Sequence, residues 1–399
     1  MVPKGWVLGC VGDLLIGLES GVSVNGEDRH AQPGEKSVLK VSAVSYGCFD
    51  SKASKVIDKN EISRAKTKPR AGQIIVSRSN TESFVGASAY VDKDYQDIFL
   101  PDKLWQTVPK PDANMKWLSY VLASEHVRYT LSKLATGTSG SMKNITKGEF
   151  LTLKILIPPL PEQRKIAQTL SIWEEAIATT QQLLINSKQQ KKSLMQKILT
   201  GRDRFSKFTE KWKSYELSDI AMVRMGSSPK SGAYNEDGYG LPLIQGNADI
   251  KNRRSAPRIF TTEITKECDV GDILLSVRAP VGTVALSSHK ACIGRGISAI
   301  RARLGFSQDF LYQWFLWFEP RWGALSQGST FESINSNDIK QLKIKLPSLD
   351  EQKEIASILS SADQEIELLQ QKLNHLKQEQ KALMQQLLTG KRRVKVEAA

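Results

Sequence analysis

The 399-residue chain has four cysteines, Cys10, Cys48, Cys268 and Cys292, and no two of them form a CxxC pair. The four histidines, His30, His126, His289 and His375, do not cluster with them. Neither a zinc site nor a disulfide framework is expected, and no metal ligand is assigned. No run approaches the roughly 18 consecutive apolar residues of a membrane span. The opening residues, Met1 to Cys10, lack the basic and long apolar regions of a signal peptide, so the expected location is cytoplasmic. Acidic residues are the minority: 42 Asp plus Glu face 56 Lys plus Arg, a formal charge of +14 with a pI near 9.4. Polyanions are the favoured partners, although a soluble protein can also simply be basic.

Catalytic signatures are missing as well. There is no GxxxxGK[ST] phosphate loop, and the nearest run, Gly137-Thr-Ser-Gly-Ser-Met-Lys143, has the wrong spacing. No strand runs into GxGxxG, and there is no GxSxG elbow. Ile157-Pro-Pro-Leu160 lacks the Asn or Asp that adenine methyltransferases place before Pro-Pro, and reads as a rigid entry into a helix. Pro101-Asp102 and Pro111-Asp112 lack the further acid and lysine of a nuclease centre. No catalytic residue is assigned.

What the chain does contain is a repeat. Leu160-Pro-Glu-Gln-Arg-Lys-Ile-Ala-Gln-Thr-Leu170 returns as Leu349-Asp-Glu-Gln-Lys-Glu-Ile-Ala-Ser-Ile-Leu359. Leu194-Met-Gln-Lys-Ile-Leu-Thr-Gly201 returns as Leu383-Met-Gln-Gln-Leu-Leu-Thr-Gly390, at the same offset of 189 (349 − 160). A weaker echo opens each half, where Trp6, Val11, Asp13 and Leu14 match Trp212, Leu217, Asp219 and Ile220 at an offset of 206 (212 − 6). Between echo and repeat the halves differ, apart from one landmark: Gly72-Gln-Ile-Ile-Val-Ser-Arg78 resembles Gly271-Asp-Ile-Leu-Leu-Ser-Val-Arg278, a buried-strand pattern. Each half therefore reads as a variable α+β globule followed by a shared helix.

The shared segment carries helix signals at both ends. Pro161 suits a first turn, Ser348 stands three residues before Glu351 as a capping box, and Gly201 and Gly390 sit where a left-handed residue stops a helix. Apolar residues recur by four and three. In the first copy they are Ile166, Leu170, Trp173, Ile177, Leu184, Leu194 and Ile198. In the second they are Ile355, Leu359, Ala362, Ile366, Leu369, Leu373, Leu376, Leu383 and Leu387. Lys191 and Gln380 interrupt the two series at the same place. This narrow seam fits a coiled coil, either with another chain or between the two copies; the second alternative makes a two-headed molecule with an antiparallel helix pair.

Binding signals lie in the globules. Arg64, Lys66, Lys68 and Arg70 in the first half, and Lys251, Arg253, Arg254 and Arg258 in the second, form basic runs upstream of the recurring strand. Their comparable placement suggests a shared role in neutralising phosphates; a solvated loop is the plainer alternative. After that strand, Arg78 and Arg278 stand at turns from which a guanidinium can fork onto guanine, or can serve as a buried structural group. Gly226-Ser-Ser-Pro-Lys230 is a loop able to approach a nucleic-acid backbone. Phe310-Leu-Tyr-Gln-Trp-Phe-Leu-Trp-Phe318 is apolar on nearly every face and suits a buried helix better than a base-stacking platform.

Together the helix entries, the helix exits, Pro3-Lys-Gly-Trp6 and Ser276-Val-Arg-Ala-Pro-Val-Gly282 resemble the specificity subunit of type I restriction-modification systems, over essentially the whole chain. The resemblance implies target recognition domains at 1–157 and 202–346, conserved helices at 158–201 and 347–390, and a basic tail at 391–399. It implies a non-catalytic subunit that reads a split, asymmetric DNA site, one domain per half-site, with the helices fixing the spacer. Two methyltransferase and two restriction subunits would dock on it, bringing S-adenosylmethionine, ATP and Mg2+ to the complex. DNA contacts would include Arg78, Lys230 and Arg278. The first half departs from the pattern, because no Gly-x-x-Pro loop follows Glu19, where Gly21-Val-Ser-Val24 stands instead. The other readings are a coiled-coil adaptor and a stand-alone DNA-modifying enzyme.

Overall fold

A computed structural model of the chain describes residues 2–137, 142–325 and 333–396; Thr138 to Ser141 of the run nearest to a phosphate loop, and the last three residues of the expected tail, lie outside them. The chain divides into two compact units, Met1–Thr180 with Lys372–Ala399, and Gln181–Gln371.

The first unit has ten principal strands: β1 (Val7–Cys10), β2 (Leu15–Ser20), β3 (Gly26–Glu27), β4 (Ser37–Leu39), β5 (Ser54–Ile57), β6 (Ile74–Ser77), β7 (Ser88–Tyr90), β8 (Ile98–Phe99), β9 (Leu104–Pro109) and β10 (Lys154–Ile157). One sheet runs β7-β6-β9-β2, a second β8-β4-β5-β3, and β1 pairs with β10. Helices α1 (Met115–Ala123), α2 (Glu125–Leu134) and α3 (Lys147–Leu151) precede the long α4 (Leu160–Ile198). The second unit supplies β11 (Lys213–Glu216), β12 (Ala221–Met225), β13 (Tyr234–Asn235), β14 (Leu241–Ile244), β15 (Ile259–Thr261), β16 (Ile273–Ser276), β17 (Val284–Leu286), β18 (Ala291–Ile293), β19 (Ile297–Ala302) and β20 (Lys343–Leu346). Its orders are β17-β16-β19-β12, β18-β14-β15-β13 and β11-β20, each with the same neighbours as its counterpart ten numbers lower; the first two sheets carry extra short edge strands. Both units contain an equivalent parallel pair, β4 with β8 and β14 with β18. The segments that differ in sequence therefore share one topology. The helices α5 (Gln308–Phe318), α6 (Ser336–Lys340) and α7 (Leu349–Leu387) complete the repeat.

The central strands explain why the landmark stood out. All four residues of β6 and of β16 are buried, because each strand is covered on both faces. Ile74 and Val76 face the larger core of the first unit, with Trp105, Trp117 and Phe150, while Ile75 faces a smaller core with Leu39 and Leu104. In the second unit Ile273 and Leu275 join Phe310, Phe315 and Trp322, while Leu274 joins Ile244 and Ile293. This is the period of two of a strand. The aromatic run forms α5, with Phe310, Leu311, Trp314 and Phe315 buried.

The Glu-Gln of each helix entry has a physical role. Gln163 accepts from the Asn114 amide at 3.1 Å and donates to the Pro158 carbonyl at 2.9 Å. Gln352 makes the same two bonds, from Ser307 at 3.0 Å and to Pro347 at 3.0 Å. Asn114 and Ser307 are the N-caps of α1 and α5, so one glutamine ties the long helix to the globule beside it. Glu162 and Glu351 are nearly sealed from solvent and each takes a two-pronged arginine: Arg393 on Glu162 at 2.6 and 2.7 Å, Arg204 on Glu351 at 3.0 and 2.7 Å. The Glu351 carboxylate is thus committed to Arg204, not to the capping box expected with Ser348, because a buried carboxylate gains more from a guanidinium fork than from one exposed cap bond. Arg393, within the expected tail, is a structural residue. Gly201 and Gly390 adopt φ of +70° and +67° at the helix ends.

Both long helices have 39 residues. Every apolar seam position named above is buried or half-buried. Within the first unit Ile166, Leu170, Leu383, Met384 and Leu387 share one core with Trp6. Within the second, Met195, Ile198, Ile355 and Leu359 share another, Lys191 pairs with Asp363 at 2.5 Å, and Ser187 donates to Glu365 at 3.2 Å.

Candidate nucleic-acid interface

Three tight loops of the second unit converge because glycines let their backbones touch. A Cβ on Gly226 would lie 2.1 Å from the Gly294 carbonyl oxygen, and one on Gly296 would lie 2.3 Å from that of Gln245. Backbone bonds lock the approach: Gly226 N–H to Ile297 at 2.9 Å, Ser227 to Ile293 at 2.9 Å, Gly294 to Ile244 at 2.8 Å and Gly296 to Gln245 at 3.1 Å. The result is a cleft of about 570 Å³ at the ends of β12, β14, β16 and β18. Arg278 and Arg295 line it, together with Gln245, Asn247, Tyr234 and Ser276. No carboxylate among the described residues lines it. Beside it, the Lys230 amide donates to Glu263 at 3.0 Å, and the Lys230 side chain is exposed.

Lys251 to Arg254 form the tip of a hairpin between the short strands Ile250–Lys251 and Arg254–Ser255. Asn252 and Arg253 have φ of +50° and +60°, the backbone of a type I′ turn. Arg253 is held by the Val284 carbonyl at 3.0 Å and by Glu319 at 2.5 Å, and Arg258 by Asp249 at 3.2 Å. Burial pushes the nearby Tyr312 phenol up to about 12 against the opposing pull of Arg253 and Arg254. In the first unit Arg64 pairs with Glu61 at 2.6 Å, Arg70 pairs with Glu19, and the Lys68 ammonium lies 5.5 Å from the Phe99 ring centre. Among the described residues, the side chains of Lys66, Lys230, Lys251, Arg254, Arg278 and Arg295 have no hydrogen-bond or ion-pair partner, and all six are exposed.

Two expectations need correction. The two basic runs are not equivalent: the first follows β5, whereas the second precedes β15, the counterpart of β5. The place of the Lys251 to Arg254 hairpin is taken in the first unit by Val44–Ser45 and Cys48–Phe49 around Tyr46-Gly47, which carry no charge. Arg78 and Arg278 are also out of step. The Arg78 amide donates to Lys103 and its carbonyl accepts from Ile145, and Val277 makes the matching bonds to Gly296 and from Ile334. Val277 is thus the counterpart of Arg78, and Ser79 that of Arg278; one residue of slip reverses the face on which a strand residue points. Arg78 donates through Nε to the Asp102 carbonyl at 2.8 Å and lies 3.6 Å from that residue's carboxylate. Gly21-Val-Ser-Val24, which lacks the proline, stands in the place of the Gly-x-x-Pro loop, and a Cβ on Gly21 would lie 2.0 Å from the Leu100 carbonyl oxygen.

Sequence reasoning missed Arg295, Gln245 and Asn247. The signal for the first was available: an arginine between two glycines, Gly294-Arg295-Gly296. Where the second unit has these residues, the first has Leu100-Pro101-Asp102-Lys103, Lys40 and Val41. One scaffold thus carries two chemistries.

The family model for the type I restriction modification DNA specificity domain matches residues 3–187 and 209–378. A protein of Methanocaldococcus jannaschii described as the type I restriction enzyme MjaX specificity subunit is 29% identical over 408 residues, covering 99% of this chain and 95% of its own. The EcoKI specificity subunit of Escherichia coli is 24% identical over 264 residues, covering 61% and 54%. Among solved structures, the S subunit of a type I restriction-modification system from M. genitalium matches with a TM-score of 0.66 at 18% identity, covering 96% of both chains. A chain from a study of assembly and conformational transition in the type I system matches with a TM-score of 0.60 at 24% identity, covering 97% and 98%.

Proposed function

The chain belongs to the type I restriction-modification DNA specificity family and is a specificity subunit, and from that premise we propose that it reads a bipartite, asymmetric DNA site with one unit per half-site. The observation that carries this reading is the pair of units with one strand order and different loop chemistry, which suits two unlike half-sites. Lys230, Lys251, Arg254 and Arg278 in the second unit, and Lys66 in the first, are the candidates for DNA contact with side chains free to make it. Arg64, Lys68, Arg70, Arg78, Arg253 and Arg258 would have to leave or share their present partners.

In the same reading the two long helices pair as an antiparallel intramolecular coiled coil that sets the spacer. The shared burial of Leu170 with Leu383 and Leu387, and the Lys191 to Asp363 pair, support it. The chain is a non-catalytic, cytoplasmic scaffold on which two methyltransferase and two restriction subunits dock, and S-adenosylmethionine, ATP and Mg2+ act through those subunits. No helix among the described residues is long and apolar enough to cross a membrane. The test is a genome-wide map of N6-methyladenine in cells holding the methyltransferase partner and either the intact chain or one lacking residues 215–330. A split motif lost or altered in one half only is expected; an unchanged motif would overturn the reading.

A further inference from the structure

We propose that the second unit reads guanine in its half-site through Arg295, with Arg278 across the same cleft and the amides of Gln245 and Asn247 between them. This deepens the DNA-specificity reading above and rests on it.

Arg295 is built to present its side chain. It stands on the turn from β18 to β19, and its amide donates to Ser228 Oγ at 3.2 Å. The glycines on either side are pinned by the bonds to Ile244 and Gln245, and the Gly296 carbonyl accepts from Val277 at 2.9 Å. Three chain segments thus fix the backbone of a residue whose guanidinium is exposed and, among the described residues, unpartnered. Other arginines of the unit are engaged: Arg224 on Glu267, Arg253 on Glu319, Arg258 on Asp249, Arg301 on Asp272 and Arg303 on Ser218. A rigid base with a free planar fork is the geometry needed for O6 and N7 of guanine, which accept two parallel N–H bonds in the major groove.

The lining decides between base and phosphate. A phosphate clamp needs cations, and a lysine-rich surface serves it well. Among the described residues, the two guanidiniums share the cleft with two neutral amides and no carboxylate. Neither Gln245 nor Asn247 has a side-chain partner among the described residues, and such amides neutralise nothing but pair readily with base edges. The first unit has Pro101-Asp102 in place of the arginine and Lys40, paired with Asp28, and Val41 in place of the amides, so its half-site is read by other means.

The experiment uses the full chain with its methyltransferase partner and duplexes carrying each base in turn at every position of the methylated motif. Arg295→Ala and Arg295→Lys should lower the preference for guanine at one position of one half-site by about 5- to 150-fold. The other half-site should keep its selectivity, and Arg295→Lys, which keeps the charge, should keep the salt dependence. Equal weakening on all duplexes with base preference intact would make Arg295 a phosphate clamp and overturn the inference. So would an altered half-site containing only A·T pairs. If Arg295→Ala lowers the melting temperature, Arg295→Lys alone decides. A complex of the unsubstituted chain with no sequence preference at all would instead overturn the DNA-specificity reading.

Discussion

Lys191 and Asp363 join α4 to α7 within the second unit, and removing either one should have very different consequences. The Lys191 side chain is 9% exposed and that of Asp363 42% exposed, and Asp363 also accepts from Gln313 at 2.8 Å. Asp363→Ala strands a nearly buried ammonium and orphans the Gln313 amide. Breaking a fully buried pair costs about 3 to 5 kcal/mol, and the wet side of this one lowers the figure to about 3 kcal/mol. For a unit of this size that is a fall of about 6 to 12 °C in melting temperature. Lys191→Met keeps the stem against the seam and leaves a carboxylate that still has Gln313 and water, so its effect should stay within about 1 kcal/mol. The double variant should recover most of the loss. Calorimetry of the full chain with the four members of the cycle measures the coupling. If Lys191→Met costs as much as Asp363→Ala, or the two losses simply add, the desolvation argument fails.

Two further predictions follow from the repeated joints. Trp6 donates through Nε1 to Glu162 at 3.0 Å, whereas the Nε1 of its counterpart Trp212 is buried without a partner among the described residues; Trp6→Phe should cost about 1.5 to 3 kcal/mol and Trp212→Phe nearly nothing, as read by denaturant titration. The amide and hydroxyl of Thr146 hold the Glu149 carboxyl below its ordinary range at the start of α3. Because the folded value is the lower one, this stabilisation is full above the unfolded carboxyl pKa and is lost as pH falls through the folded one. Glu149→Gln should be less stable than the unsubstituted chain at pH 7 and equal to it in strong acid, and a constant gap across pH would count against the cap.

The helices were legible because their signals are local: a four-three apolar series, Pro161 at one end, Gly201 and Gly390 at the other. The fully buried strands β6 and β16 were legible for the same reason. The common topology of the two units was not, since the surfaces of β2, β4 and β5 diverge while their hydrogen-bond neighbours stay the same, and pairing over long separations leaves no local pattern. The mismatch of Arg78 with Arg278 shows the limit sharply. Two arginines near the ends of similar strands looked equivalent, yet Val277 adds one residue, and the backbone bonds place the two side chains on opposite faces. The cleft escaped notice because it is made of contacts between glycines 68 residues apart (294 − 226), which only the fold brings together.

The arginine forks constrain how the molecule can change. Helix α4 carries Glu162 at its start in the first unit and leads to Arg204 in the second; α7 carries Glu351 in the second and leads to Arg393 in the first. Each helix is therefore fastened at its entry to the exit of the other. Loss of either arginine would leave a nearly buried carboxylate bare at the joint where one helix begins and the other ends. Both members of each fork recur at the repeat offset of 189 (351 − 162 and 393 − 204), so a change of partner at one joint leaves the other joint with the old pair.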